Sequence, residues 1–316
     1  MVGTEDVRRS YPTGSSITRW RAPDGWTLRR FDWPAPEGAA RGSILFQGGR
    51  GDFIEKYLES LAHWHARGWH VTAFDWRGQG GSGRTTAAPH VGHIGDYADF
   101  VGDLRAFWAD WAIRTAGPRV AIGHSMGGHL VLRALAERAI APDAAVLVAP
   151  MLGLSAPIAP WVGEGIATLM ARLGDPGRAA WKHNERPHTT RSRQSLLTHD
   201  DQRYADEGWW QARDPQLLTG PPSWRWLSLG FSSTRLLRSS AALAEVTTPI
   251  LMLVAEADRL VDPRAALAVA ARLPHARVVR FGAESAHEIL REVDPVRTRA
   301  LAEIDGFLDA RAKRGP

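Results

Sequence analysis

The chain has no cysteine among its 316 residues, which excludes disulfides, thiolate metal sites and cysteine nucleophiles and leaves folding independent of oxidation. Lysine is scarce too, standing only at positions 56, 182 and 313, so almost all of the 39 basic residues are arginine. Long apolar runs are missing. The opening MVGTEDVRRSYPTGSSITRW lacks the apolar core of about 7 to 15 residues that a signal peptide needs, and no segment approaches the roughly 18 apolar residues of a membrane span. The expected location is therefore the cytoplasm. Blocks of one charge are also absent: the 39 basic and 34 acidic residues are interspersed, with a net charge of +5, which argues for a solvated basic surface and against a nucleic-acid partner.

What is present is a chain that is 44% hydrophobic, enough for one large core with an insertion or for two ordinary domains. Its 14 tryptophans are unusual, and their amphipathic rings leave peripheral contact with a membrane surface open. The first half alternates β-type runs with helical stretches, the pattern of a mostly parallel sheet covered by helices. ITRWRAPDGWTLRRFDW reads as a hairpin turning at Asp24-Gly25, and GSILFQ as a buried strand. A helix is expected to begin near Asp52 and end at Gly68, followed by the strand WHVTAFDW and its glycine-rich loop. The helix GDYADFVGDLRAFWADWAI, with Tyr97, Val101, Leu104 and Trp108 on one face, leads to the strands RVAI and AAVLVAP.

From Met151 to about Leu243 the β-branched runs stop, and Trp161, Trp181, Trp209, Trp210, Trp224 and Trp226 appear among prolines and arginines. Alternation then resumes with TPILMLVAEADRLVD, RAALAVAARL, ARVVRF and a last helix from about Pro295 to Ala312. The expected organisation is a core of residues 1–150 and 244–316, split by a helical, tryptophan-rich lid of residues 151–243.

Gly123-His124-Ser125-Met126-Gly127 has the form G-x-S-x-G, with a strand before it and the helical GGHLVLRAL after it. A turn that sharp strains its central residue and tolerates only small flanking side chains, which Gly123, Gly127 and Gly128 provide. It would raise the Ser125 hydroxyl above the sheet and put the Met126 amide at a helix N-terminus, where it can donate to an oxyanion.

A serine nucleophile requires a histidine base and an acid to orient it. In a parallel sheet the site lies beyond the carboxyl ends of the strands. His275 precedes the strand ARVVRF and fails that test, whereas His287 in GAESAHEIL follows its end and passes. His124 should point away from the serine as a packed neighbour; His63 and His65 face different sides of one helix; His183, His188 and His199 lie in the lid with no evident partner. Of Glu256, Asp258 and Asp262 after the strand PILMLV, Asp258 is the preferred acid, since Asp262 precedes Pro263 as a helix cap. A second oxyanion donor should come from QGGRGD, with Gly49 favoured and Gly48 and Arg50 as near alternatives.

These residues resemble the α/β-hydrolase fold, and within it the serine hydrolases related to monoacylglycerol lipase and to the lysophospholipase L2-like bacterial group. FDWRGQGGSGR is similar to the family's Asp-x-Arg-Gly-x-Gly-x-Ser segment, and GHSMGGHL, ADRLVD and AHEIL complete the resemblance. It implies Ser125 as nucleophile, Asp258 as acid, His287 as base and the Met126 amide in the oxyanion hole. Where many relatives carry His-Gly in the oxyanion loop this chain has Gln47-Gly48, a change that bears on loop geometry and on substrate.

The lid tryptophans read either as the core of a small helical unit or as a groove for an acyl chain, with Trp209, Trp210 and Trp224 near its mouth or at a lipid surface. Arg186, Arg191 and Arg193 are candidates to meet a phosphate head group. The expected reaction is ester hydrolysis of a monoacyl lipid through an acyl-enzyme, with no metal or organic cofactor. The alternatives are a small-molecule esterase, an aminopeptidase, a perhydrolase or an acyltransferase on the same scaffold, or a ligand-binding member without turnover.

Overall fold

The computed structural model describes residues 4–38, 40–155, 157–181 and 191–312. A short helix that no sequence pattern announced, α1 (Thr4–Arg9), comes first. The Asp24-Gly25 signal makes its turn: Gly25 takes φ 89°, Asp24 Oδ1 accepts the Trp26 N–H at 3.0 Å, and β1 (Ser16–Arg21) pairs antiparallel with β2 (Thr27–Trp33).

Next come β3 (Gly42–Gln47), α2 (Leu58–His65), β4 (Trp69–Phe74), α3 (Tyr97–Arg114), β5 (Arg119–His124), α4 (Met126–Ala136) and β6 (Ala144–Val148). The chain returns to the sheet with β7 (Ile250–Ala255) and β8 (Ala276–Phe281). The eight strands lie in the order β1-β2-β4-β3-β5-β6-β7-β8, parallel from β4 onward. Every residue of β3, β6 and β7 is buried, as a sheet covered on both faces demands, which is why these strands read as unbroken apolar runs. One face packs Phe46, Trp64, Trp69, Phe281 and Ile304, and the other Phe74, Phe107, Trp111, Leu130 and Met252. This is the α/β-hydrolase fold.

The helix expected from Asp52 begins later. Residues Ile54–Tyr57 form a 3₁₀ turn and α2 starts at Leu58, because the Asp52 carboxylate is taken up by the loop before it instead of capping a helix.

Between β6 and β7 the chain forms α5 (Pro160–Arg172), α6 (Arg191–Leu197), α7 (Asp201–Arg213) and α8 (Trp224–Ser239). Helices α5 and α8 pack closely: a methyl group on Gly163 would come within 3.0 Å of the Phe231 ring, and Thr168 Oγ1 meets Ser228 Oγ at 2.8 Å. Helix α7 instead lies on the core. Arg203 bonds Glu59 at 2.8 Å and Asp294 at 2.7 Å, and the Trp210 ring N–H donates to the Arg8 carbonyl at 2.9 Å. After β7 follow α9 (Pro263–Ala270) and, beyond β8, α10 (Asp294–Arg311). No helix among the described residues is long and apolar enough to cross a membrane.

Candidate active site

Strand β5 ends at His124 and α4 begins at Met126, leaving Ser125 between them at φ 52° and ψ −117°, a region that side-chain-bearing residues rarely occupy. The strain is held by close approach of backbone to backbone. A methyl group on Gly123 would stand 2.6 Å from the Gly127 carbonyl carbon, and one on Gly127 would stand 2.4 Å from the Gln47 carbonyl oxygen. The Ser125 N–H donates to Val148 at 2.9 Å, and its carbonyl accepts from His129 and Met151. The Met126 amide opens α4, where a helix has no carbonyl of its own to offer. That amide is part of the positive end of the helix dipole, with the serine beside it.

The expected base and acid meet. His287 Nδ1 lies 2.5 Å from Asp258 Oδ2, while Asp258 Oδ1 accepts the Leu260 and Val261 N–H groups at 2.7 and 3.1 Å. Burial alone would raise the Asp258 pKa, but the His287 charge and these hydrogen bonds outweigh it and hold the carboxyl below the usual range. Burial likewise presses His287 down, and the Asp258 carboxylate more than reverses this, leaving the imidazole pKa raised. With Nδ1 committed to Asp258, Nε2 is the nitrogen left for proton transfer. The rejected candidates have other places: Asp262 caps α9 through the Arg264 N–H, Glu256 faces Arg280 in solvent, and His275 precedes β8.

The structure corrects the reading of the oxyanion loop. Gly49 does lie against Ser125, since a methyl group there would stand 2.8 Å from Ser125 Cβ. Its N–H, however, already donates to Asp52 Oδ2 at 2.7 Å, so it is not an open oxyanion donor. The loop is braced from the FDWRGQGGSGR segment: Trp76 Nε1 donates to Gly48 O at 2.8 Å, Gln79 Nε2 to Gly49 O at 2.7 Å, and Gln79 Oε1 accepts from Gly51. Gln47 and Gly48 do not reach the cavity described below; Gln47 is wholly buried and its amide atoms have no partner among the described residues.

Sequence reasoning missed the polar cluster behind His287. Lys56 Nζ, fully enclosed, contacts Asp52 at 2.6 Å, Glu288 at 2.8 Å and Glu207 at 3.2 Å. Burial pushes the lysine pKa down, and the charges of Asp52, Glu207 and Glu288 override it upward. Burial raises Glu288, yet Arg291 and Lys56 bring it down to about 2. His124 belongs to this cluster: Nδ1 lies 2.8 Å from Tyr57 Oη and 3.1 Å from Asp52 Oδ2, and its ring is centred 4.8 Å from the His287 ring. It is thus a hydrogen-bonded neighbour of the His287 segment and more than a packed one. The one available signal was Lys56 itself, one of three lysines in a chain whose other basic residues are arginine.

Ser125 and His287 open onto a cavity of about 600 Å³. Its apolar wall includes Leu154, Ile166, Trp181, Trp224, Trp226 and Phe231 from the β6–β7 excursion. Trp224 is where the groove reading put it, but Trp209 and Trp210 are not. Trp210 packs among core residues against Tyr11, and Trp209 has the Arg9 and Arg213 guanidinium groups against its ring, because α7 is drawn onto the core by its ion pairs. Arg193 lines the cavity; Arg186, His183 and His188 lie outside the described residues, as does the side chain of Arg191. His199, expected to be partnerless, pairs with Glu292 at 3.0 Å. His63 bonds Asp305 and His65 stacks on Trp33.

Comparison with known proteins covers most of the chain. The family described as serine aminopeptidase, S33, matches residues 38–294. Lysophospholipase L2 of Escherichia coli (strain K12) is 33% identical over 278 residues, covering 83% of this chain and 78% of that protein. A soluble variant of monoglyceride lipase from Saccharomyces cerevisiae, solved with a substrate analog, superposes with a TM-score of 0.77 at 19% identity, covering 96% of this chain and 97% of that one. A monoacylglycerol lipase from Paleococcus ferrophilus gives 0.71 at 20% identity, covering 89% and 98%.

Proposed function

The chain belongs to the serine aminopeptidase S33 family of hydrolases, and from that premise we propose that it hydrolyses the carboxylic ester of a monoacyl lipid, lysophospholipid or monoacylglycerol, through Ser125, His287 and Asp258. The observation that carries this reading is the 2.5 Å His287–Asp258 pair and a strained Ser125 opening onto one largely apolar cavity. His287 Nε2 takes the Ser125 proton as Oγ adds to the acyl carbonyl, and the imidazolium so formed is stabilised by Asp258. The Met126 amide receives the oxyanion; a second donor from the Gly48–Arg50 loop requires the Gly49 N–H to leave Asp52 as the substrate arrives. His287 then protonates the departing alcohol, and water repeats the sequence on the acyl-enzyme. The relatives named lysophospholipase and monoglyceride lipase support the substrate class.

Within the 151–243 unit, α5 and α8 act in this reading as the lid that walls the acyl groove, while α7 stays on the core. Peripheral contact with a membrane has support from the outer face of α5, where Trp161 and Leu169, and Leu173 just past its end, are exposed. An aminopeptidase reading fits less well. An N-terminal ammonium would need an open carboxylate, and the cavity's Asp52 and Glu288 are both held by Lys56.

The test is labelling by a fluorophosphonate probe with Ser125→Ala as control, followed by p-nitrophenyl esters of graded length, monooleoylglycerol and oleoyl lysophospholipid. Labelling of wild type alone and hydrolysis of the long-chain lipids are expected. Turnover confined to acetate and butyrate esters would reject the monoacyl-lipid substrate.

A further inference from the structure

Four cations line the cavity, and they are not equivalent: Arg50, Lys56, Arg193 and Arg259. Lys56 is saturated by three carboxylates. Arg50 donates to the Gly220 carbonyl at 3.0 Å and lies over the Trp226 ring. Arg193 gives Nη2 to Glu207 at 3.0 Å, but its Nη1 is buried with no hydrogen-bond partner among the described residues. Arg259 is exposed on the wall and has no hydrogen bond or ion pair among the described residues.

The two under-used arginines sit at the catalytic end. Arg259 directly follows Asp258. Arg193 lies one turn before Leu196 and Leu197, whose carbonyls accept the His287 and Glu288 N–H groups at 3.3 and 2.7 Å. Ile166, Trp181, Trp224 and Phe231 give the same cavity an uncharged stretch of wall. The carboxylates on the wall are Asp52 and Glu288, both paired with Lys56, so neither neutralises Arg259 or the free edge of Arg193.

We infer that Arg193 and Arg259 form a phosphate subsite beside the triad, which makes the preferred substrate a phosphate-bearing monoacyl lipid over a neutral monoacylglycerol of equal chain length. The phosphate of such a lipid is separated from the ester by the three carbons of glycerol, so a tail lying among the tryptophans leaves it near the catalytic end. The unpaired Arg259 guanidinium and the buried, partnerless Nη1 of Arg193 are groups that phosphate oxygens match in geometry and in charge. The inference rests on the monoacyl-lipid reading above.

The experiment measures kcat/KM of the full chain for 1-oleoyl lysophosphatidylglycerol and for 1-monooleoylglycerol in the same mixed micelles. The ratio is expected to favour the phospholipid and to fall about tenfold or more in Arg259→Gln and in Arg193→Gln, while Arg259→Lys keeps most of it. Because Arg193→Gln also strips Glu207 of a buried partner, Arg259→Gln decides the matter if the other variant does not fold. An unchanged ratio in Arg259→Gln overturns the subsite. Inorganic phosphate is the second arm: inhibition of monooleoylglycerol hydrolysis that Arg259→Gln relieves, with the lipid ratio unmoved, assigns the site to free phosphate and overturns the lipid inference. Wild type that cleaves neither lipid, yet turns over short p-nitrophenyl esters, removes the monoacyl-lipid reading itself.

Discussion

Asp52 accepts the Gly49 N–H at 2.7 Å, so the loop residue lying against Ser125 is tied by a carboxylate that also meets Lys56, Tyr57 and His124. The Gly48–Arg50 loop and the segment carrying His287 are thereby joined through one buried cluster, since Lys56 also holds Glu288, the residue after His287.

Gly49→Ala should cripple turnover with the fold retained. The added methyl group would fall 2.8 Å from Ser125 Cβ, and a displacement of about 1 Å at the nucleophile costs on the order of 100-fold in kcat/KM. Steady-state kinetics beside a melting curve separate the two effects, and a loss under threefold would contradict the close approach.

Lys56→Met should be costly to stability. It leaves Asp52, Glu207 and Glu288 clustered without their shared cation, and breaking a buried ion cluster from one side costs about 3–5 kcal/mol. Urea unfolding measures it. Because Glu288 is lowered to about 2, its share of stability is fully present above the ordinary carboxylate value of 4.5 and is lost as pH falls toward 2. Wild type should therefore lose stability steadily across that acid range, and Glu288→Gln should flatten the slope.

The base works only when neutral. Burial depresses the His287 pKa but Asp258 more than compensates, so the acid limb of kcat/KM should lie above the ordinary histidine value of 6.5. Asp258→Asn should move that limb downward and cut kcat by about 10⁴-fold. The effect on folding runs the other way: the raised His287 pKa contributes stability below pH 6.5 that fades as pH rises through the folded value. A limb at or below 6.5 in wild type would argue against the charged pair.

Ser125→Ala and His287→Ala should each remove nearly all activity, about 10⁴ to 10⁶-fold, and the double variant should lose little more. Additive losses would show that the two do not share one proton transfer.

The tryptophans should divide by location. Activity on p-nitrophenyl esters is expected to rise with acyl length by up to about fourfold per methylene, from roughly 0.8 kcal/mol of burial each. Trp224→Ala should flatten that rise and Trp209→Ala should not, because only the former lines the cavity.

Local pattern carried much of this. G-x-S-x-G between a strand and a helix, Asp258 after an apolar strand and His287 past the end of another are positions that chain order and strand polarity make legible. So was the sheet, because strands buried on both faces must be apolar throughout. The start of α2 was misjudged because Asp52 has two uses, capping a helix or binding a loop amide, and only its neighbours in space choose between them.

The sequence by itself thus determined the architecture and singled out Ser125, Asp258 and His287 as the candidate triad, all of which follow from periodicity, strand polarity and chain order. Only the tertiary structure decided what joins distant segments: that Lys56 binds Glu207 and Glu288, that Asp52 holds Gly49, and that ion pairs at Arg203 draw α7 and its two tryptophans away from the cavity. Buried charges are stable only when paired, and which partners are within reach depends on how separate elements pack, a relation that no periodicity in the chain records.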